Sequence, residues 1–105
     1  MNPYQPGIYL IVEFDWPQPF EEEHGKLARA LHNSVQEKDW IRETAAASGG
    51  VGGRRSSLWV FWLESYAALD RLFKDQSDPV SQAYASFFSK MAAVEDWIRE
   101  EVYFI

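Results

Sequence analysis

The chain has 105 residues, a formal net charge of −6 and no cysteine. The acidic balance speaks against nucleic acid, whose binding rests on Lys and Arg contacts to phosphate, and against anionic membrane surfaces. The absence of cysteine excludes disulfides and thiolate chemistry.

A single domain over residues 1–105 is expected at this length. The apolar fraction of 47% suits a packed core and argues against disorder. The aromatic share of 16% has two readings. Large rings can build a core and an oligomer interface, or they can line a ligand pocket. No basic stretch precedes an apolar h-region, and no apolar run nears the ~20 residues of a spanning helix. A cytoplasmic protein without a membrane segment is the expectation.

Met1 to Gly7 reads as an extended lead-in. The first strand is predicted over Ile8–Trp16. Ile8, Leu10, Val12 and Phe14 form one apolar face, and Tyr9, Ile11, Glu13 and Asp15 a mixed one. Pro17 and Pro19 end it, because proline cannot donate to the ladder. Pro19 is then expected to open a helix running to about Gln36. Glu21, Glu22 and Glu23 suit its dipole there. Phe20, His24, Leu27, Leu31 and Val35 follow a helical stripe.

A second strand is predicted over Trp40–Ala47, with Trp40, Arg42 and Thr44 on one face and Ile41, Glu43 and Ala45 on the other. Its low apolar content marks an edge. The Gly-rich segment Ser48–Gly53 reads as a hairpin connection. It lacks the Lys-Ser/Thr ending of a phosphate loop. Arg54 and Arg55 follow it, either as a solvated loop base or as an anion clamp.

Ser57–Glu64 reads Ser-Leu-Trp-Val-Phe-Trp-Leu-Glu. As a strand it sends Leu58, Val60 and Trp62 to one face and Trp59, Phe61 and Leu63 to the other. Neither face suits water, so both need cover. Ser65 is a candidate N-cap for a helix ending near Lys74–Gln76. Asp78 and Pro79 open another, with Val80, Tyr84, Phe87, Phe88 and Met91 along one face. The last strand is predicted over Trp97–Ile105, with Ile98, Val102 and Phe104 on one face.

This order predicts an α+β ferredoxin-like fold, βαββα(α)β. Its four-stranded antiparallel sheet has the order 4-1-3-2, with helices on one face. The two most apolar strands, the first and third, are then central. The other face of the sheet stays open in a monomer. An apolar patch of that kind marks an interface, so a twofold homodimer through the open sheet face is expected.

Several stretches resemble the dimeric α/β-barrel superfamily, which includes antibiotic-biosynthesis mono-oxygenase-like proteins. They are Val12-Glu13-Phe14-Asp15 with Pro19-Phe20, the hairpin from Trp40 through Arg42-Glu43-Thr44 to the Gly-rich turn, and Leu58–Leu63 followed by Ser65-Tyr66-Ala67-Ala68-Leu69. The nearest likeness is to the YdhR-type mono-oxygenase-like family. The resemblance implies a small dimer with a pocket between sheet and helices. Some relatives there oxidise or isomerise apolar ring compounds without metal or flavin. A haem-degrading branch uses an Asn, a Trp and an axial His near the second helix. Here His24 and His32 both lie in the first helix and no His follows Glu64, which departs from that pattern.

Two functions follow from different classes. One is a cofactor-independent mono-oxygenase or isomerase acting on a small apolar or aromatic compound. It would abstract a proton and let the carbanion reduce oxygen. The other is a non-catalytic small-ligand-binding or dimeric interaction module. For catalysis the candidates are His24, whose side-chain type titrates near neutrality, and Glu13 on a central strand. Each also has a structural reading: His24 as a hydrogen-bonded core residue, Glu13 as the ion-pair partner of Arg42 or Arg99. Trp59, Trp62, Arg42 and Tyr84 are the candidates for holding a substrate. No metal is expected, since the two histidines lie two helical turns apart and form no HExxH motif. No cofactor is expected either.

Overall fold

The computed structural model describes residues 5–36 and 38–102. The elements are β1 (Ile8–Asp15), α1 (Glu22–Val35), β2 (Ile41–Ser48), β3 (Ser57–Leu63), α2 (Tyr66–Lys74), α3 (Pro79–Ser89) and β4 (Ala92–Glu100). The strands form one antiparallel sheet in the order β2-β3-β1-β4, which is the expected 4-1-3-2 read from the other edge.

The central pair follows from strict alternation. In β1, Ile8, Leu10, Val12 and Phe14 are buried while Tyr9, Ile11, Glu13 and Asp15 are half-buried. In β3, Trp59, Phe61 and Leu63 are buried and Leu58, Val60 and Trp62 are half-buried. Register places Leu10 opposite Phe61 and Val12 opposite Trp59. These side chains share the face under the helices, where they meet Leu31, Val35, Leu72, Val80 and Phe87. Burial of each such side chain is worth roughly 1.5–3 kcal/mol. The layer above the sheet is therefore the core, and Trp62 belongs to the other side.

The helix starts show how local chemistry sets the boundaries. Ser65 Oγ accepts the Ala68 N–H at 3.2 Å and caps α2. Asp78 Oδ1 accepts the Val80 N–H at 3.0 Å and caps α3, with Pro79 as its first residue. Both match expectation. Helix α1 does not begin at Pro19. It begins at Glu22, because Glu21 is the N-cap: its N–H donates to His24 Nδ1 at 2.9 Å, and the His24 N–H donates to Glu21 O at 2.9 Å. That reciprocal pair satisfies a backbone donor on each side of the helix start.

Strand β2 departs from simple alternation. Ile41 lies opposite Leu63 and Glu43 opposite Trp62, so Arg42 is an extra residue in a β-bulge. Thr44 then lies opposite Phe61, toward the helices, while Ala45 lies opposite Val60 on the open face. The expected sharing of one face by Arg42 and Thr44 fails at this bulge. Strand β4 starts at Ala92, five residues before the expected Trp97, and ends at Glu100. Ala93 has a positive φ of 55°, and pairing with β1 begins at Ala92 opposite Asp15. Tertiary pairing outweighs the weak strand propensity of Ala92–Asp96. Phe104 lies outside the described residues. Val102, after the strand, is exposed rather than part of a face.

Candidate functional site

A recess of about 210 Å³ opens between α1 and the β2–β3 end of the sheet, lined by Phe14, Trp16, Ala28, Ala46, Ala47, Ser48, Leu58 and Trp59. Its making is a matter of side-chain size. Trp59 and Phe14 supply ring walls from the two central strands. Ala46 lies opposite Trp59 on the edge strand, and Ala28 faces it from α1. Two methyl groups stand where larger residues would close the gap. Among the described residues, no titratable side chain lines the recess.

The rest of the helix–sheet layer is filled by rings. Phe14 meets Phe87 at 5.4 Å and Phe88 at 5.6 Å, both edge-on. Trp59 meets Phe87 at 5.7 Å, and Trp16 meets it at 5.6 Å. Tyr84 packs on Phe88 at 4.7 Å, Phe61 at 5.6 Å and Phe73 at 5.5 Å. Burial first, then the nearby Asp96 carboxylate, pushes its phenol well above the usual tyrosine range. Tyr84 is thus a core ring, away from the recess.

His24 is buried. Its ring lies 5.8 Å from that of Phe20, which in turn meets Trp16 at 5.2 Å. It sits one turn before Ala28 but does not line the recess. Because Nδ1 accepts the Glu21 N–H, the proton of the neutral ring is on Nε2. In that tautomer Nε2 is a donor with no lone pair to take a proton. Glu13 is on the opposite face of the sheet, so the two catalytic candidates are not brought together. Glu13 lies opposite Glu95 in β4 and lines a shallow cavity with Arg55. Its expected pairing with Arg42 or Arg99 does not form: Arg42 Nη1 is 3.5 Å from Glu101, and Arg99 donates to the Ile98 carbonyl.

Trp62 and Arg42 meet each other on the open face. The Arg42 guanidinium lies 5.4 Å from the Trp62 ring centroid. Glu101 Oε1 accepts the Trp62 Nε1–H at 2.9 Å and the Gly7 N–H at 2.8 Å. Tyr9 stacks on Trp62 at 6.0 Å. Ile11, Val60 and Trp97 extend this half-buried apolar surface across three strands. Of the six residues singled out by sequence, only Trp59 lines the recess. The others at the recess are mostly small or belong to the core, and the signal for them was the Ala45-Ala46-Ala47 run on an edge strand.

Among the described residues, Glu21, Glu23 and His24 bring ligand-type atoms within 4.8 Å of one another. The two glutamates are exposed and stand at the start of α1, where acid suits the helix dipole. The Nδ1 of His24 is already engaged by the Glu21 N–H. Among the described residues, no helix is long and apolar enough to cross a membrane.

No family model and no curated protein matches the chain. Solved structures do. The chain is similar to a dimeric ferredoxin-like protein of unknown function from Thermobifida fusca YX, at 19% identity and a TM-score of 0.70, with 94% of this chain and 96% of that chain covered. It is similar to a hypothetical Arabidopsis thaliana protein at 9% identity and a TM-score of 0.73, covering 100% and 96%. It is also similar to a hydroxynitrile lyase from Passiflora edulis at 13% identity and a TM-score of 0.71, covering 93% and 95%. At these identities the likeness is one of fold. The chain has the ferredoxin-like fold; none of these three names a mono-oxygenase, and the resemblance to that family extends no further here.

Proposed function

We propose that the chain is a homodimeric binding module that holds a small apolar, single-ring compound in the recess between α1 and the β2–β3 end of the sheet. The observation that carries this is the recess itself: walls of Phe14, Trp16 and Trp59, small residues at Ala28 and Ala46, and no charged or titratable lining among the described residues. Its volume of about 210 Å³ is below the ~300–1,000 Å³ of sites for drug-sized ligands. One small ring suits it. The homodimer rests on the open sheet face, where Tyr9, Ile11, Val60, Trp62 and Trp97 form a connected apolar surface. Two neighbours, from Thermobifida fusca and Bacteroides fragilis, are described as dimeric.

The catalytic alternative is a cofactor-independent mono-oxygenase or isomerase acting on such a compound. It draws on the family resemblance and on the hydroxynitrile lyase of the same fold. Among the described residues it lacks a base at the recess, since His24 offers a donor and Glu13 lies on the far face. The binding reading is therefore preferred.

Thermal shift with indole and phenol as probes tests it, together with fluorescence of the recess tryptophans. Both probes are expected to raise the melting temperature of the wild type. Ala28→Trp fills the recess and is expected to abolish the shift. Equal shifts in wild type and A28W, or none in either, would overturn the reading.

A further inference from the structure

The two edges of the sheet are protected very differently. Strand β4 carries Glu95, Asp96, Arg99 and Glu100, and its register with β1 breaks between Glu13 and Asp15. Charges and irregular pairing are devices that keep an edge from recruiting another strand. Strand β2 has such devices only in its first half, at the Arg42 bulge and Glu43. From Thr44 to Ser48 it carries no charge and no proline, and Ala45, Ala46, Ala47 and Ser48 are exposed. The outer row of backbone N–H and C=O groups there faces away from β3, with no strand beyond it among the described residues.

We propose that β2 pairs antiparallel, edge to edge, with β2 of a second copy of this chain, across a twofold axis at Ala46. The sequence of the strand is self-complementary in that register. Ala45 lies opposite Ala47, Thr44 opposite Ser48 and Glu43 opposite Gly49. No like charges meet, in a chain whose net charge of −6 otherwise opposes association. An axis perpendicular to the sheet keeps Thr44, Ala46 and Ser48 of both copies on the helix side, so the two sheets join as one of eight strands.

A second observation bears on the same register. Thr44 Oγ1 is buried and has no hydrogen-bond partner among the described residues. In this register Thr44 lies opposite Ser48 of the second copy, whose hydroxyl keeps a further hydrogen-bonding position besides its 2.7 Å contact with Ser57 Oγ, and Thr–Ser hydroxyl pairs stabilise neighbouring strands. The pairing also bears on the recess, whose β2 wall is Ala46, Ala47 and Ser48. A second copy at this edge stands beside the recess mouth. The pairing does not depend on a ligand, and it uses a surface different from the open sheet face.

A strand pairing this short buries less than the ~1,200 Å² of a stable interface, so the association is weak and concentration-dependent. The test is sedimentation velocity over the micromolar to millimolar range. Ala46→Glu and Ala46→Lys each place like charges opposite one another at the axis, and each is expected to weaken this association about tenfold or more. Mixing A46E with A46K in equal amounts is expected to restore it. Ile11→Asp, on the open face, is expected to remove a different doubling of mass and leave this one intact. If A46E, A46K and wild type sediment alike, or if the mixture does not recover, the edge pairing is overturned whatever happens on the open face.

Discussion

Glu101, one residue past the last strand, fixes the orientation of Trp62 in the middle of the sheet. Its Oε1 accepts the indole N–H at 2.9 Å and the Gly7 N–H at 2.8 Å, with Arg42 Nη1 at 3.5 Å. The carboxylate joins the lead-in, the edge strand, the central strand and the end of β4. Glu101→Ala leaves two N–H groups without their acceptor. We expect it to destabilise the fold by about 1–3 kcal/mol and to shift tryptophan emission to the red. Urea denaturation followed by fluorescence measures both. An unchanged midpoint would remove Glu101 from the forces that hold Trp62.

Gly7 is packed so closely that a Cβ there would collide with the carbonyl oxygen of Leu63. Backbone cannot yield as a flexible side chain does. Gly7→Ala is expected to cost about 2 kcal/mol or more, as overpacking does. Gly50→Ala meets open space at a positive φ of 87° and is expected to cost about 1 kcal/mol. Thermal melts of the two variants should rank in that order.

Asp78 supplies a pH dependence. Burial disfavours its charge, but the Val80 N–H, Lys38 and Arg71 outweigh burial and hold the carboxyl below its ordinary value. Arg71 lies at 3.0 Å and Lys38 at 3.4 Å. A lowered folded-state pKa gives stability that is complete above the ordinary carboxyl value, about 3.9, and is lost as pH falls through the lowered one. Asp78→Asn is expected to cost about 2 kcal/mol at neutral pH. It is also expected to flatten the loss of stability below about pH 4. Equal acid slopes in wild type and D78N would contradict this assignment.

His24 acts as part of a helix start. His24→Ala is expected to cost about 1 kcal/mol through the lost cap, with the dimer and the indole-induced thermal shift retained. Oxygen uptake with a phenolic probe is expected to be absent in both forms. Uptake by the wild type that disappears in H24A would restore the catalytic reading and give His24 its role as base.

The sheet was readable because period-two alternation in Ile8–Asp15 and Ser57–Leu63 leaves little freedom in which face is buried. Pattern alone could not say which face of β3 meets helices, since both are apolar. The helix side is fixed by β1, whose Ile8, Leu10, Val12 and Phe14 set is wholly apolar while its other set carries Glu13 and Asp15. The start of α1 was hidden because a capping box usually pairs Ser or Thr with Glu or Gln, and here Glu21 pairs with His24. The start of β4 was hidden because Ala92–Asp96 has little strand character of its own. The recess was the least visible feature. It is made by Ala28 and Ala46, far apart in sequence, and a missing side chain leaves no periodic trace.

The bulge at Arg42 has a further effect on β2. A strand slipped by one residue normally turns its apolar side chains to water and is rejected at once. Here Ala45, Ala46 and Ala47 are chemically identical, so a slip exchanges one methyl group for another on each face. The side chains of that segment cannot report an error in register. Its alignment depends instead on the two ends: the extra residue opposite Trp62, and the hydroxyl contact of Ser48 with Ser57 at 2.7 Å before the glycine hairpin.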